Sequence, residues 1–154
     1  VQKNWQSAHY LLDDHRAITT TAKAGSTSLS VALEDRPKLT MQECIKRGLE
    51  IILIIRNPWV RLQSAYHGFA ESTIEEYIDR VLSVPNIHWS LQTAQHPVFT
   101  RAVKLEYIND WWPLDKDFPI MNMQRTRFTA DYRRDDLAQF FAPDLEVWRG
   151  AYGG

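Results

Sequence analysis

Ile51-Ile-Leu-Ile-Ile55 is an unbroken run of five aliphatic residues flanked by Glu50 and Arg56. A strand with one face in water alternates apolar and polar residues. A continuous run of this length instead suits a parallel strand covered on both faces. Parallel strands of this kind belong to sheets dressed with helices, so the run constrains the whole chain towards an α/β architecture.

The flanking sequence agrees. Arg16 to Ala22, rich in β-branched threonine, is predicted as a strand, and Ser28 to Leu33 as a short helix with Leu29, Ala32 and Leu33 on one face. Arg36-Pro37 breaks that helix, and a small one is expected over Met41 to Arg47, ending at Gly48. After the apolar strand, Asn57 can cap a helix that carries Pro58 in its first turn. Leu62, Ala65, Tyr66 and Phe69 mark its buried stripe. Ser72 with Glu75 reads as a capping box for a helix through about Leu82. Ala102 to Tyr107 reads as a strand, Phe118 to Met121 as a weaker one, and Asp135 to Trp148 as helical with an interruption at Pro143. With 154 residues, a single compact domain over 1–154 is expected.

Sheets of this class place ligands beyond the carboxyl ends of their strands, and two segments there carry unusual chemistry. In Lys23-Ala-Gly-Ser-Thr-Ser28, Gly25 permits an unusual turn and close approach of an anion. Helix-start amides, the hydroxyls of Ser26, Thr27 and Ser28, and the charge of Lys23 converge on the same place. An ordinary strand-to-helix turn with a capping serine fits these residues as well. The second segment follows the apolar run. Arg56 leaves a buried strand at its carboxyl end, where a charge is costly unless paired. Arg61 and Ser64, three apart, share a helix face away from the apolar stripe. Arg56, Arg61 and Ser64 can meet on one phosphate; solvated surface arginines are the plainer alternative.

A net charge of −1 gives no global reason to expect nucleic acid or an anionic membrane as partner, so an anion site has to be built locally. Cys44 is the one cysteine, which excludes an internal disulfide, makes a cysteine metal site unlikely and suits a small buried residue. No stretch has the apolar length of a membrane span. The chain begins with Val1, and a removed leader or anchor is compatible with that. Most of the six tryptophans suit core packing, with one or two available to stack on a base or line an acceptor groove.

The two segments resemble the signature motifs of sulfotransferases. Ala22-Lys-Ala-Gly-Ser-Thr-Ser-Leu29 is similar to the family's 5′-phosphosulfate loop, and Arg56-Asn-Pro-Trp-Val-Arg-Leu-Gln-Ser-Ala-Tyr66 to its 3′-phosphate motif, R-(D/N)-P-x-x-R-x-x-S-x-(Y/F). His88-Trp-Ser-Leu-Gln92 resembles the H-W-x-P-Q stretch of the Golgi-type carbohydrate sulfotransferases and their bacterial and viral relatives. Lys104-Leu-Glu-Tyr107, Pro119-Ile-Met-Asn122 and Phe140 to Trp148 resemble later segments of the same group. The likeness runs from about Ile18 to Trp148. Ala22 stands where the family has proline, Ala24 where it has threonine or serine, and Leu91 where it has proline.

The resemblance implies a P-loop-like three-layer fold with a central parallel sheet flanked by helices. It implies the donor 3′-phosphoadenosine 5′-phosphosulfate (PAPS), the product adenosine 3′,5′-bisphosphate, and no metal. It also implies in-line transfer of a sulfuryl group to an acceptor hydroxyl or amine, by default on a sugar. Lys23, Ala24, Gly25, Ser26, Thr27 and Ser28 would hold the 5′-phosphosulfate; Arg56 and Ser64, with Arg61 as a weaker candidate, would hold the 3′-phosphate. Lys23 would act in catalysis, and His88 is the leading candidate for the base, followed by His67, with Glu71 and His96 behind them. A structural role for His88, ordering its loop with Gln92, is the alternative. A kinase-type P-loop needs a lysine after a second glycine, which this loop lacks. A module that binds the nucleotide without chemistry is the remaining alternative. A single cysteine favours a bacterial or viral cytoplasmic protein over one of the Golgi lumen. The oligomeric state is left open.

Overall fold

The computed structural model describes residues 8–67, 73–119 and 134–154. Along the chain run β1 (His9–Leu11), β2 (Arg16–Thr19), α1 (Ser26–Ala32), β3 (Lys38–Leu39), α2 (Met41–Lys46), β4 (Glu50–Ile55) and α3 (Pro58–His67). There follow α4 (Ile74–Ser83), α5 (Gln92–Gln95), β5 (Arg101–Lys104), a 3-10 turn (Leu105–Tyr107), α6 (Ile108–Trp111), α7 (Arg134–Phe140) and α8 (Ala142–Gly150).

The five strands form one mixed sheet in the order β3-β1-β2-β4-β5. β2, β4 and β5 are parallel, with Ile18 opposite Ile52 and Ile54 opposite Val103. β1 pairs antiparallel with both β2 and β3. The expectation of a parallel sheet therefore holds for three strands, and an antiparallel edge completes the sheet. The apolar run behaves as its composition requires: Ile51 to Ile55 are all at most 3% exposed. Alternate side chains of a strand leave on opposite faces. Ile18, Ile52, Ile54 and Val103 meet Leu29 and Leu33 of the α1 region and Ile108 of α6, whereas Ala17 and Ile51 meet Cys44 and Leu49 beside α2. A third cluster joins Leu62 and Ala65 of α3 to Tyr77, Ile78 and Val81 of α4, with Trp89, Leu137, Phe141 and Leu145.

Several boundaries differ from those expected from sequence. β2 stops at Thr19, because Thr20 turns its hydroxyl inward between the carbonyls of Ala24 (2.8 Å) and Ile54 (3.0 Å). β5 stops at Lys104, where Leu105 turns in against Gly25 and the chain winds into the 3-10 turn. The α4 cap is Thr73, whose hydroxyl accepts from the Glu76 amide at 3.2 Å, one residue beyond the expected Ser72, which lies outside the described residues. Phe118 gives its amide to Asn109 Oδ1 (2.7 Å) rather than to a strand partner; 120–122 lie outside the described residues. The C-terminal helix divides at Phe141, placing Pro143 in the first turn of α8. The α2 reading holds, and its start is a complete capping box between Thr40 and Glu43. Cys44 is buried, and burial pushes its thiol up. Among the described residues, no helix is long and apolar enough to cross a membrane.

Candidate functional site

β2 and β4 are parallel neighbours, so the turns leaving their carboxyl ends lie side by side. The first turn is unusual. Lys23 adopts a left-handed backbone (φ 64°), and Gly25 follows at φ 95° before α1 begins at Ser26. Left-handed geometry costs a residue with a Cβ roughly 1–2 kcal/mol, so the surroundings must impose it. Four hydrogen bonds do so: Ala24 N–H to Thr21 O (3.1 Å), Thr20 Oγ1 to Ala24 O, Arg56 Nη1 to Lys23 O (2.7 Å) and Arg61 Nε to Ala22 O (2.9 Å). At Gly25 a Cβ would come within 2.9 Å of Leu105 Cδ1, so both backbone and packing require glycine there.

Within this loop Lys23, Gly25 and Ser26 are half-buried and Thr27 is exposed, while Ala24 and Ser28 are buried. Ala24 spends its amide inside the turn. As α1 begins, the Gly25 carbonyl accepts from the Leu29 amide at 2.9 Å. Thr21 Oγ1 is buried with no hydrogen-bond partner among the described residues.

The second turn is conventional. Asn57 Oδ1 accepts from the Trp59 amide at 3.0 Å, and Pro58 opens α3, as its sequence predicts. Glu106 accepts from the Asn57 amide (2.6 Å) and from Trp148 Nε1 (3.4 Å), so it secures the head of α3. Arg56, 4% exposed, has its guanidinium acidified by burial, an effect the charge of Glu106 offsets. Its backbone is held on both sides by one amide side chain: Gln92 Oε1 accepts from Arg56 N–H, and Gln92 Nε2 donates to Arg56 O, each at 3.0 Å. Gln92 and Thr93 are held in turn by Asp144, fully buried, whose oxygens accept from the Gln92 amide (2.8 Å), the Thr93 amide (3.0 Å) and Thr93 Oγ1 (2.8 Å).

Arg61 departs from its expected place. It is 1% exposed, and its guanidinium faces backbone carbonyls: Ala22 from Nε (2.9 Å), Ser90 from Nη1 (2.8 Å) and Ile87 from Nη2 (2.9 Å). It shares burial with Ser64 (5% exposed), but its donors stabilise loops rather than a phosphate. Arg61 lies off the apolar stripe, as its spacing predicts, and protein carbonyls meet it on that face.

His88 sits in the turn between α4 and α5, its amide donating to Asn86 Oδ1 at 2.9 Å. Burial, and then the nearby charges of Lys23 and Arg61, hold its imidazole below the usual range. Trp89 beside it anchors the turn, buried in the third cluster with Nε1 donating to Val84 O (2.7 Å). His67 ends α3, but its side chain lies outside the described residues, as does Glu71. His96 is buried beneath the loop, Nε2 on Thr20 O at 3.0 Å, edge-to-face with His9. Trp59 and Tyr66 pack on Phe141 and Tyr77.

Gln92, Thr93 and Asp144 were not legible as a network. Gln92 and Asp144 stand 52 positions apart, and no local pattern reports that they meet. Among the described residues no three histidine, cysteine or acidic side chains gather as a metal site. Compared with known proteins, the chain matches no protein-family profile, no curated protein and no solved structure.

Proposed function

We propose that the chain is a PAPS-dependent sulfotransferase of P-loop-like, three-layer fold, acting on an acceptor hydroxyl, by default on a carbohydrate, or on an amine. One observation carries the reading. Arg56 of the 3′-phosphate-like motif reaches the carbonyl of Lys23 in the 5′-phosphosulfate-like loop at 2.7 Å, across 33 positions of sequence. The two motifs thus converge at the ends of adjacent parallel strands, the place such sheets use for nucleotides.

The donor set fits a doubly charged nucleotide. Lys23 and Arg56 supply cations, Ser26 and Thr27 supply accessible hydroxyls, and Gly25 lets the backbone turn tightly. When bound, PAPS would supply an activated sulfuryl group. Lys23 brings a mobile ammonium to the loop, where negative charge grows during transfer. Arg56 is fixed by Gln92 and offers a guanidinium for the 3′-phosphate. His88, its imidazole held below the usual range by burial and by the two neighbouring cations, is the residue that would take the acceptor proton. The lone buried Cys44 accords with a cytoplasmic, bacterial or viral setting.

Calorimetric titration with adenosine 3′,5′-bisphosphate, with ADP and ATP as controls, tests the reading. Binding that requires the 3′-phosphate and drops at least about tenfold in Arg56→Ala, and likewise in Lys23→Ala, supports it. Equal affinity for ADP would overturn it.

A further inference from the structure

Arg61 is a full cation in the protein interior, and burying one is costly unless its donors are satisfied. Burial pushes its guanidinium down to about 10, so it remains charged at neutral pH, helped by the charge of Asp144. Its partners are what make it informative. Ala22 immediately precedes Lys23, and Ile87 and Ser90 flank His88. One rigid, planar group therefore holds the backbone beside each of the two residues assigned to chemistry. Asp144, the opposite buried charge, does the same for Gln92 and through it for Arg56.

We propose that Arg61 is a positioning residue, which fixes the loop bearing Lys23 against the loop bearing His88 by bridging carbonyls of both. The catalytic labels of Lys23 and His88 rest on the sulfotransferase reading; the bridge itself does not. A lysine in its place keeps the charge but lacks the fork that spans three carbonyls. Nor does a simple core-filling role explain the choice. A buried apolar side chain of similar volume would stabilise the interior at least as well, but it would leave the two loops unconnected.

The test reads the coupling between the two loops without any nucleotide. The His88 imidazole is titrated by NMR in the wild type, Lys23→Ala, Arg61→Lys and the double variant. In the wild-type background, removing the Lys23 charge raises the His88 midpoint. In the Arg61→Lys background, that rise is expected to shrink to less than about half, because the loops are no longer held together. An undiminished rise in a folded Arg61→Lys protein overturns the proposal, since a purely structural arginine would alter stability and leave the coupling intact. If Arg61→Lys does not fold, the Arg61 Nε–H resonance of the otherwise intact protein decides. It is expected to move on Lys23→Ala and again as His88 titrates; a resonance that follows neither overturns the proposal. The nucleotide titration stands apart, so loss of 3′-phosphate selectivity would sink the sulfotransferase reading while leaving this coupling measurable.

Discussion

The turns that follow β2 and β4 make the same connection, parallel strand to helix, in opposite ways. The second starts from local chemistry, with Asn57 capping and Pro58 opening the helix, and distant Glu106 adds one bond to the Asn57 amide. The first has no side-chain cap, puts Lys23 in a left-handed conformation and depends on hydrogen bonds from distant residues. A turn held by its own sequence forms whatever surrounds it. A turn held by Arg56, Arg61 and Thr20 exists only once the interior has assembled, and strain maintained in that manner is a mark of functional loops.

The largest expected effect is from Arg61→Ala. It leaves three carbonyls without their donor and removes the counter-charge of Asp144, so a loss of about 3–5 kcal/mol in denaturant unfolding is expected. A loss below about 1 kcal/mol would mean that the first turn is self-supporting.

Acid should also single out the first turn. Burial, then the neighbouring His9, pushes His96 down to about 4, and burial lowers His9 as well. Both are neutral in the folded protein, whereas the unfolded chain takes up protons below its ordinary histidine value. Their contribution is therefore complete above about pH 6.5 and is lost as the pH falls towards 4, up to about 3 kcal/mol for His96. Unfolding curves across that window should show the loss, and His96→Gln should flatten it.

The legible and illegible parts of the chain divide along the same line. β4 was readable because burial on both faces writes itself as uninterrupted aliphatic residues, and α3 because asparagine and proline carry their capping chemistry locally. β1 and β3, three and two residues long, have no periodicity to read; their pairing is imposed by β2. The unusual chemistry at Lys23 and Arg56 was legible in the sequence, and Arg56 Nη1 reaches the Lys23 carbonyl. The carbonyl partners of Arg61 were not legible, because spacing gives the face of a helix but not what the 87–90 turn brings to it.

Gly25→Ala sharpens the contrast next. The added methyl meets Leu105 and the backbone sits at φ 95°, so destabilisation of about 2 kcal/mol by thermal or denaturant unfolding is expected. The smallest pair is the most discriminating. Asn57→Ala should cost about 1 kcal/mol and leave adenosine 3′,5′-bisphosphate affinity within about threefold. Lys23→Gly should stabilise the fold by up to about 1 kcal/mol, by relieving the left-handed strain, while weakening nucleotide binding. A destabilised Lys23→Gly would show that its side chain, not its backbone, matters to the fold.

Tyr152 lies along β5, its carbonyl accepting from the Lys104 amide at 2.9 Å and its amide donating to Ala102 O at 3.0 Å. Among the described residues β5 is the sheet's outermost strand. Without that segment its hydrogen-bonding groups would offer a template to any neighbouring molecule. The segment around Tyr152 thus acts as a selvedge, finishing the woven edge at Val103.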